Sequence, residues 1–436
     1  MSDSNDKTIA RKRIAMFSIH SDPLARLGSQ QAGGQNLYVR LLTEELTKIG
    51  WEVDVFTRLD DQRKKQIVQI NKKSRVIRLK GGKIGYISKE ELMTVLPEIY
   101  NNFLSFINFE NSYSLFHGHY WDGGWMALKA HLHFHRPLVT NFHSLGLIKM
   151  QTKERYLMDK NNSSYFTERL NIENEIAKNS SVIVSLAKTE REELQQFYGC
   201  PEEKCEVVPG GVDLKRWNRV EKSKAREILN LDQKSFILLY VGRLEWRKGI
   251  GTLLSAGRLL KNEIPNLKIL IVGGKIFGRQ RNTDDYKEYN RLLKKAEQEG
   301  IEDITKFVGS ISNQRLHFFY SASDILVIPS YYEPFGLVAL EGMASNVPVI
   351  ASNVGGLMNI VENAKDGFLF EPRNPLSLKE KVSLIYNSQE LRQRLAQNGY
   401  EKVKNYSWNS MVKKIDGIYK DLIRKNENEN SSNSAI

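Results

Sequence analysis

The chain has 436 residues, 41% of them hydrophobic, with 64 Lys and Arg against 51 Asp and Glu and a formal net charge of +13. That length exceeds what one hydrophobic core supports and predicts two domains of roughly 200 residues each. The only cysteines, Cys200 and Cys205, are too few for a disulfide framework and lack the partners a zinc site needs, which fits a reducing cytoplasm. The first apolar run, Ile14 to Ile19, is too short for a secretory signal and follows a polar start. No stretch approaches the ~20 apolar residues of a membrane span. Lys and Arg are scattered, with local groups at 7–13 and 63–73, and no stacking-aromatic module accompanies them. This argues against nucleic acid as a partner and fits an anionic small substrate, or weak peripheral contact with an anionic membrane.

In chain order, Ile14 to Ile19 predicts a first strand, followed by a glycine-bearing loop from Gly28 to Gly34 and a helix from about Gln35 to Ile49. Trp51 to Phe56 is a second strand, so the chain opens with a βαβ unit. Further strands are expected at Arg75–Leu79, Leu115–His117, Pro137–Asn141, Ser181–Ser185 and Cys205–Val208, with helices between them. The turn Pro209-Gly210-Gly211-Val212-Asp213 marks a domain boundary, dividing the chain into 1–211 and 212–407. A second series has strands at Phe236–Val241, Leu267–Val272, Ile304–Val308, Asp324–Ile328 and Val347–Ala351. Near-continuous apolar strands separated by helices mean parallel sheets covered on both faces. The fold class is therefore α/β, two doubly wound Rossmann-like domains with a cleft between them. Ligands are expected at the carboxyl ends of the strands. Residues 408–425 read as a helix without a following strand, and the polar tail at 426–436 reads as disordered.

The most informative stretch is Tyr332-Glu333-Pro334-Phe335-Gly336-Leu337-Val338-Ala339-Leu340-Glu341. It follows an apolar strand that ends at Pro329, and Pro334 is suited to opening a helix. The amides of Phe335, Gly336 and Leu337 then stand unpaired at a helix start, where the dipole favours an anion. Glu333 and Glu341 flank that cradle as two hydroxyl acceptors, the arrangement a nucleotide-sugar needs for its sugar and its ribose. Arg243 and Lys248, in Gly242-Arg243-Leu244-Glu245-Trp246-Arg247-Lys248-Gly249, follow the second domain's first strand and suit a diphosphate clamp. The P-loop spacing is absent, and Val272-Gly273-Gly274 is only half a dinucleotide fingerprint. Gly33 and Gly34 can face the same anion from the other domain. His131, His133 and His135 alternate without acidic or Cys support, so no metal is expected. His117 to Asp122 and His143-Ser144-Leu145-Gly146 come at strand ends, and His143 suits a sugar hydroxyl.

Together these motifs resemble the family 4 retaining glycosyltransferases of GT-B fold, over nearly the whole chain. The matching stretches are Gln31 to Val39, His143 to Gly146, Pro209 to Asp213, Gly242-Arg243-Leu244 with Lys248, and the glutamate pair. Within the family the resemblance is strongest to the sucrose-phosphate synthases, and the inositol-phosphate N-acetylglucosaminyltransferase that starts mycothiol synthesis is also similar. The resemblance implies a UDP-sugar donor, no metal or other cofactor, and a C-terminal helix crossing back onto the first domain. It implies that Arg243 and Lys248 hold the diphosphate and Glu341 the ribose. Glu333, with the amides of Phe335, Gly336 and Leu337, would take the sugar. Gly34 would face the phosphate and His143 the sugar's primary hydroxyl. It further implies acceptor contacts at Gln35, Lys89, Tyr120, Ser144, Lys149 and Arg169, although Glu168 stands where the pattern offers another Arg. The expectation is transfer of glucose from UDP-glucose to a phosphorylated sugar, fructose 6-phosphate, giving sucrose 6-phosphate. The alternative keeps the donor and replaces the acceptor by inositol phosphate, a lipid or a glycan. A non-enzymatic sugar-nucleotide sensor fits less well, because the charged ligands are all present.

Overall fold

A computed structural model describes residues 12–25, 33–107, 113–157, 164–217, 220–274 and 284–433. Its first sheet comprises β1 (Arg13–Phe17), β2 (Glu52–Arg58), β3 (Ile67–Asn71), β4 (Ser74–Leu79), β5 (Leu115–His119), β6 (Leu138–Asn141), β7 (Val182–Ser185) and β8 (Cys205–Val207). They lie in the order β3-β4-β2-β1-β5-β6-β7-β8. The second sheet comprises β9 (Phe236–Val241), β10 (Leu267–Val272), β11 (Thr305–Gly309), β12 (Ile325–Ile328), β13 (Val349–Ser352) and β14 (Phe368–Phe370), in the order β11-β10-β9-β12-β13-β14. Burial on both faces explains the uniform apolar runs: Leu238, Leu239, Ile269, Leu326 and Val327 are all inaccessible.

Every pairing is parallel except β3 with β4. That hairpin is a departure from the expected all-parallel sheet. β3 is an edge strand of Ile-Val-Gln-Ile-Asn with Ile67 exposed, flanked by Lys and Arg that discourage edge pairing. Strand order reverses at β1 in the first sheet and at β9 in the second. The crevices beyond those two strands are where such sheets bind ligands.

The chain crosses between the two sheets at two adjacent places. The Val212 amide bonds to the Tyr406 carbonyl at 2.7 Å, and Val212 bridges Ser407. From there the helix Trp408–Asn433 lies on the first domain, burying Met411, Val412, Ile415, Tyr419 and Ile423. Trp51 Nε1 donates to Asp416 Oδ1 at 2.8 Å. The tail expected to be disordered from residue 426 is instead helical as far as Asn433. Asn426 Nδ2 caps the His135 carbonyl, and Ser431 and Ser432 bond back to carbonyls four residues earlier. Residues 434–436, and the loop residues Gly28 to Ala32, lie outside the described residues. Among the described residues no helix is long and apolar enough to cross a membrane.

Candidate active site

The cleft wall from the second domain is built at the carboxyl end of β9. Gly242 and Gly273 pack backbone to backbone there, both at positive φ, and a Cβ at Gly273 would stand 1.9 Å from the Gly242 carbonyl oxygen. Arg243 follows directly and ion-pairs with Glu245 at 2.8 Å, and Glu245 in turn accepts from Arg247 Nε at 2.6 Å. Burial alone would raise the Glu245 carboxyl, but Arg247 and Arg243 outweigh it and hold the group well below the usual carboxylate range. Lys248 Nζ lies 2.5 Å from Glu333 Oε2, with both side chains about 15% exposed. Glu333 therefore meets the cation that sequence placed on the diphosphate.

The helix after Glu333 begins at Leu337 rather than at Pro334, as sequence suggested, with Gly336 as its cap at φ 107°. A Cβ at Gly336 would meet Leu357 at 2.7 Å, so this turn requires glycine. Among the described residues no acceptor takes the amides of Phe335, Gly336 and Leu337. Opposite them stands the start of the helix Gly34–Lys48. A Cβ at Gly34 would lie 3.5 Å from Leu337, and one at Gly33 would lie 3.8 Å from the Arg243 stem. Asn36 shapes this turn by accepting from the Gly33 amide and donating to the Asp22 carbonyl. Two helix starts, Arg243 and Lys248 thus converge on one space, an arrangement suited to a diphosphate. Further along, Glu341 accepts from Tyr320 Oη at 2.7 Å.

On the first domain's side, His143 holds φ 57°, a left-handed conformation uncommon for a non-glycine residue. Its Nε2 lies 3.0 Å from His119 Nδ1, and its ring meets Tyr38 edge-on. Burial, then the neighbouring His117 and His20, push its imidazole down to about 3, so it is neutral and can exchange a hydrogen bond with a hydroxyl. His117 is a different case. Its Nε2 donates to Asn141 Oδ1 at 2.8 Å and its Nδ1 accepts from Tyr419 at 2.6 Å, so it ties the C-terminal helix to the sheet. Of the alternating histidines at 131, 133 and 135, His131 bonds the Arg136 carbonyl. Among the described residues no group of three or more His, Cys, Asp or Glu is placed to hold a metal ion.

The acceptor candidates gather around Tyr120, which sits at φ 69° at the start of the helix Tyr120–Phe134. Its hydroxyl oxygen accepts from Lys89 Nζ at 2.9 Å and from Arg169 Nη1 at 2.8 Å. With both lone pairs engaged, its own O–H is left to donate to a further partner. Arg169 departs from expectation. It is inaccessible, donating also to Glu173 and to the Ser144 carbonyl, and so it orients Tyr120 and the Ser144 loop rather than reaching a ligand. Glu173 is equally buried, held by Arg169, the Gly146 amide and Tyr198. Lys149, on the helix Gly146–Leu157, stands within electrostatic reach of Lys89, Arg169 and Arg247; burial first and then these cations push its ammonium well down. Gln35 donates to Ser18 Oγ at 3.2 Å. Glu168 is exposed, one position round the helix from buried Arg169.

Sequence reading missed His20 and gave Asp122, within the stretch His117 to Asp122, no role of its own. His20 follows β1, its Nδ1 2.6 Å from Asp122 Oδ2 and its ring 4.8 Å from Tyr120. The signal was available, since His20 lies just past the carboxyl end of the switch-point strand. Arg247 was also given no role, although it donates to Glu245 and its charge acts on Lys149. The cleft is bridged by Tyr332 Oη, which accepts from the Leu145 amide at 3.1 Å, and by Thr189, which bonds Asn359.

Comparison with known proteins agrees with this architecture. The family described as "Glycosyltransferase Family 4" matches residues 32–216, and "Glycosyl transferases group 1" matches 221–402. The D-inositol 3-phosphate glycosyltransferase of Corynebacterium glutamicum is 31% identical over 422 residues, covering 95% of this chain and 98% of the relative. The sucrose-phosphate synthase structure from Thermosynechococcus elongatus is 33% identical with a TM-score of 0.87, covering 95% of this chain and all of that one. The Anabaena protein HepE, 19% identical with a TM-score of 0.71, covers 94% of this chain and 99% of its own, and shares the fold. The chain belongs to the family 4 glycosyltransferases and is a hexosyltransferase of GT-B fold.

Proposed function

We propose that this enzyme transfers glucose from UDP-glucose to fructose 6-phosphate with retention at the anomeric carbon, giving sucrose 6-phosphate. The observation that carries the reading is a pair of cationic clusters on one cleft. Arg243, Lys248 and two helix starts form the first, and Lys89, Lys149 and the Tyr120 hydroxyl form the second. The first suits a diphosphate whose charge grows as it leaves. The second suits a phosphate on the acceptor. Resemblance to sucrose-phosphate synthase at 33% identity supports the same pairing.

In this mechanism the donor diphosphate displaces Glu333 from Lys248. The freed carboxylate takes sugar hydroxyls beside the amides of Phe335, Gly336 and Leu337. Glu341 takes the ribose, Gly34 approaches the phosphate, and neutral His143 meets the sugar's primary hydroxyl. As the glycosidic C–O bond breaks, the acceptor hydroxyl attacks from the same face, and the departing phosphate oxygen takes its proton. No metal or cofactor enters.

A second reading, with an inositol phosphate as acceptor, is favoured by the 31% identity to the D-inositol 3-phosphate glycosyltransferase. Both acceptors are phosphorylated polyols and would use the same cations. Incubating UDP-glucose and UDP-N-acetylglucosamine with each phosphorylated acceptor, read by UDP release, tests the proposal. Turnover above donor hydrolysis with UDP-glucose and fructose 6-phosphate supports it, and turnover only with inositol phosphate replaces it by the second reading.

A further inference from the structure

Glu341 is the inner end of a packed chain of side chains that no ligand contact requires. Tyr320, on the helix Asn313–Ala322, is inaccessible and places its hydroxyl 2.7 Å from Glu341 Oε2. Its ring is set edge-to-face at 90° against Trp217, with centroids 5.3 Å apart. Trp217 is 3% exposed and belongs to the segment just after the domain crossing. Two χ angles fix a tyrosine, and both of its ring's degrees of freedom are held here by packing. Oε2 is therefore occupied, while Oε1 is left to accept from a ligand. The small cavity beside it is lined by Glu341, Arg216, Asp213, Trp217, Leu337 and Trp408 among others.

We infer that Tyr320, braced by Trp217, is a positioning residue that holds Glu341 as an oriented carboxylate for the ribose diol of the donor. This deepens the donor reading above and rests on it. A diol donating two hydroxyls is bound by an ionised carboxylate better than by a carboxylic acid, which can only accept part of that pattern. Burial pushes the Glu341 carboxyl up to about 7, and the Tyr320 hydrogen bond and then Arg216 pull against that rise. The charged and titratable groups facing Glu341 are thus Tyr320 from the neighbouring helix Asn313–Ala322, with Arg216 and Asp213 from the segment after the crossing. Tyr320 itself stays protonated, because burial and then Glu341 raise its phenol far above neutrality.

Tyr320→Phe keeps the ring against Trp217 and removes only the hydroxyl. Losing one hydrogen bond to a charged oxygen raises the Glu341 midpoint by about one pH unit. The ionised fraction at pH 7 then falls about five-fold, whereas at pH 8.5 it falls by less than about two-fold. The test is calorimetric titration of wild type, Tyr320→Phe and Glu341→Gln with UDP-glucose between pH 5.5 and 8.5, with no acceptor present. UDP-glucose carries no group that titrates in this range. The expected result is wild-type affinity that weakens below a break near pH 7. Tyr320→Phe should bind about five-fold more weakly at pH 7 and recover nearly to wild type at pH 8.5. Glu341→Gln should show weak binding with no break. A Tyr320→Phe defect that is equal at every pH marks a packing role and overturns the inference, as does unchanged binding at pH 7. A break that persists in Glu341→Gln overturns it as well. Failure of the wild type to bind UDP-glucose at any pH overturns the donor reading itself, which separates the two failures.

Discussion

Binding of a sugar phosphate to this enzyme should draw protons from solution, by an amount that the structure sets. Lys89 Nζ donates to Tyr120 Oη at 2.9 Å and lies 4.1 Å from that ring's centroid, while the Arg169 guanidinium lies 4.7 Å from the same ring. Burial first, and next the Arg169 charge, bring the Lys89 ammonium down to about 7. At pH 8 about nine-tenths of Lys89 is then neutral in the free protein. A phosphate dianion beside it favours the charged form and restores the proton. Burial and then the Lys89 charge also push the Lys149 ammonium well down, so a bound phosphate draws its protonation in the same direction. The acceptor does not add to the count at pH 8, because a phosphate monoester with a second pKa of about 6 is already a dianion. Calorimetric titration with fructose 6-phosphate at pH 8, with UDP present, in HEPES and in Tris gives the number directly from the dependence on buffer ionisation enthalpy. Uptake of about one proton or more is expected, with Lys89 supplying about nine-tenths of one. Lys89→Met should lower it by about one. Binding with no net proton uptake would refute the assignment of these lysines to the acceptor phosphate.

Lys248→Ala and Arg243→Ala should each lower kcat about 100- to 1,000-fold, about 3–4 kcal/mol, with donor and acceptor saturating, because these cations face charge that grows at the transition state; near-wild-type kcat in both excludes the clamp. Tyr120→Phe should raise the acceptor KM about ten-fold while leaving UDP-glucose binding unchanged, since it removes one charge-directed donor. Arg169→Ala should fail differently from Lys149→Ala: it strands inaccessible Glu173 and costs about 3–5 kcal/mol of stability, seen as a large drop in Tm, whereas Lys149→Ala keeps its Tm and loses acceptor affinity. Burial pushes the Glu190 carboxyl from its ordinary 4.5 up to about 8, so its contribution to stability is fully present below 4.5 and lost as pH rises through 8. Glu190→Gln should accordingly raise Tm by a few degrees at pH 9 and leave it unchanged at pH 5, measured by thermal unfolding.

The segments of the proposed donor site were legible because they are short and continuous in sequence. Glu333 to Glu341 and Gly242 to Lys248 each sit at the end of an apolar strand, where the fold class alone says a ligand binds. The exact helix start was not legible. Pro334 is a favourable first helical residue, yet Gly336 at φ 107° resets the turn and delays the helix to Leu337, because the space at that position is filled by Leu357. The acceptor half was harder to read. Lys89, Tyr120, Lys149 and Arg169 come from four separate helices, and nothing local distinguishes the inward Arg169 from the outward Glu168 beside it. One residue along a helix turns a side chain by about 100°, so the register of that helix decides which of the two is buried. His20 and Asp122 stand 102 positions apart, a partnership that only folding makes visible. The edge strand β3 and the three-residue β14 carry too little apolar periodicity to be read.

The most direct measurement compares initial rates of UDP release from UDP-glucose with fructose and with fructose 6-phosphate as acceptors. If the two lysines and the Tyr120 hydroxyl hold the acceptor phosphate as proposed, their charge-assisted hydrogen bonds are worth roughly 1.5–3 kcal/mol each, so kcat/KM should favour the phosphorylated acceptor by about 100-fold or more. Equal use of the two sugars would contradict the account, because the second cation cluster of the cleft would then have no phosphate to hold.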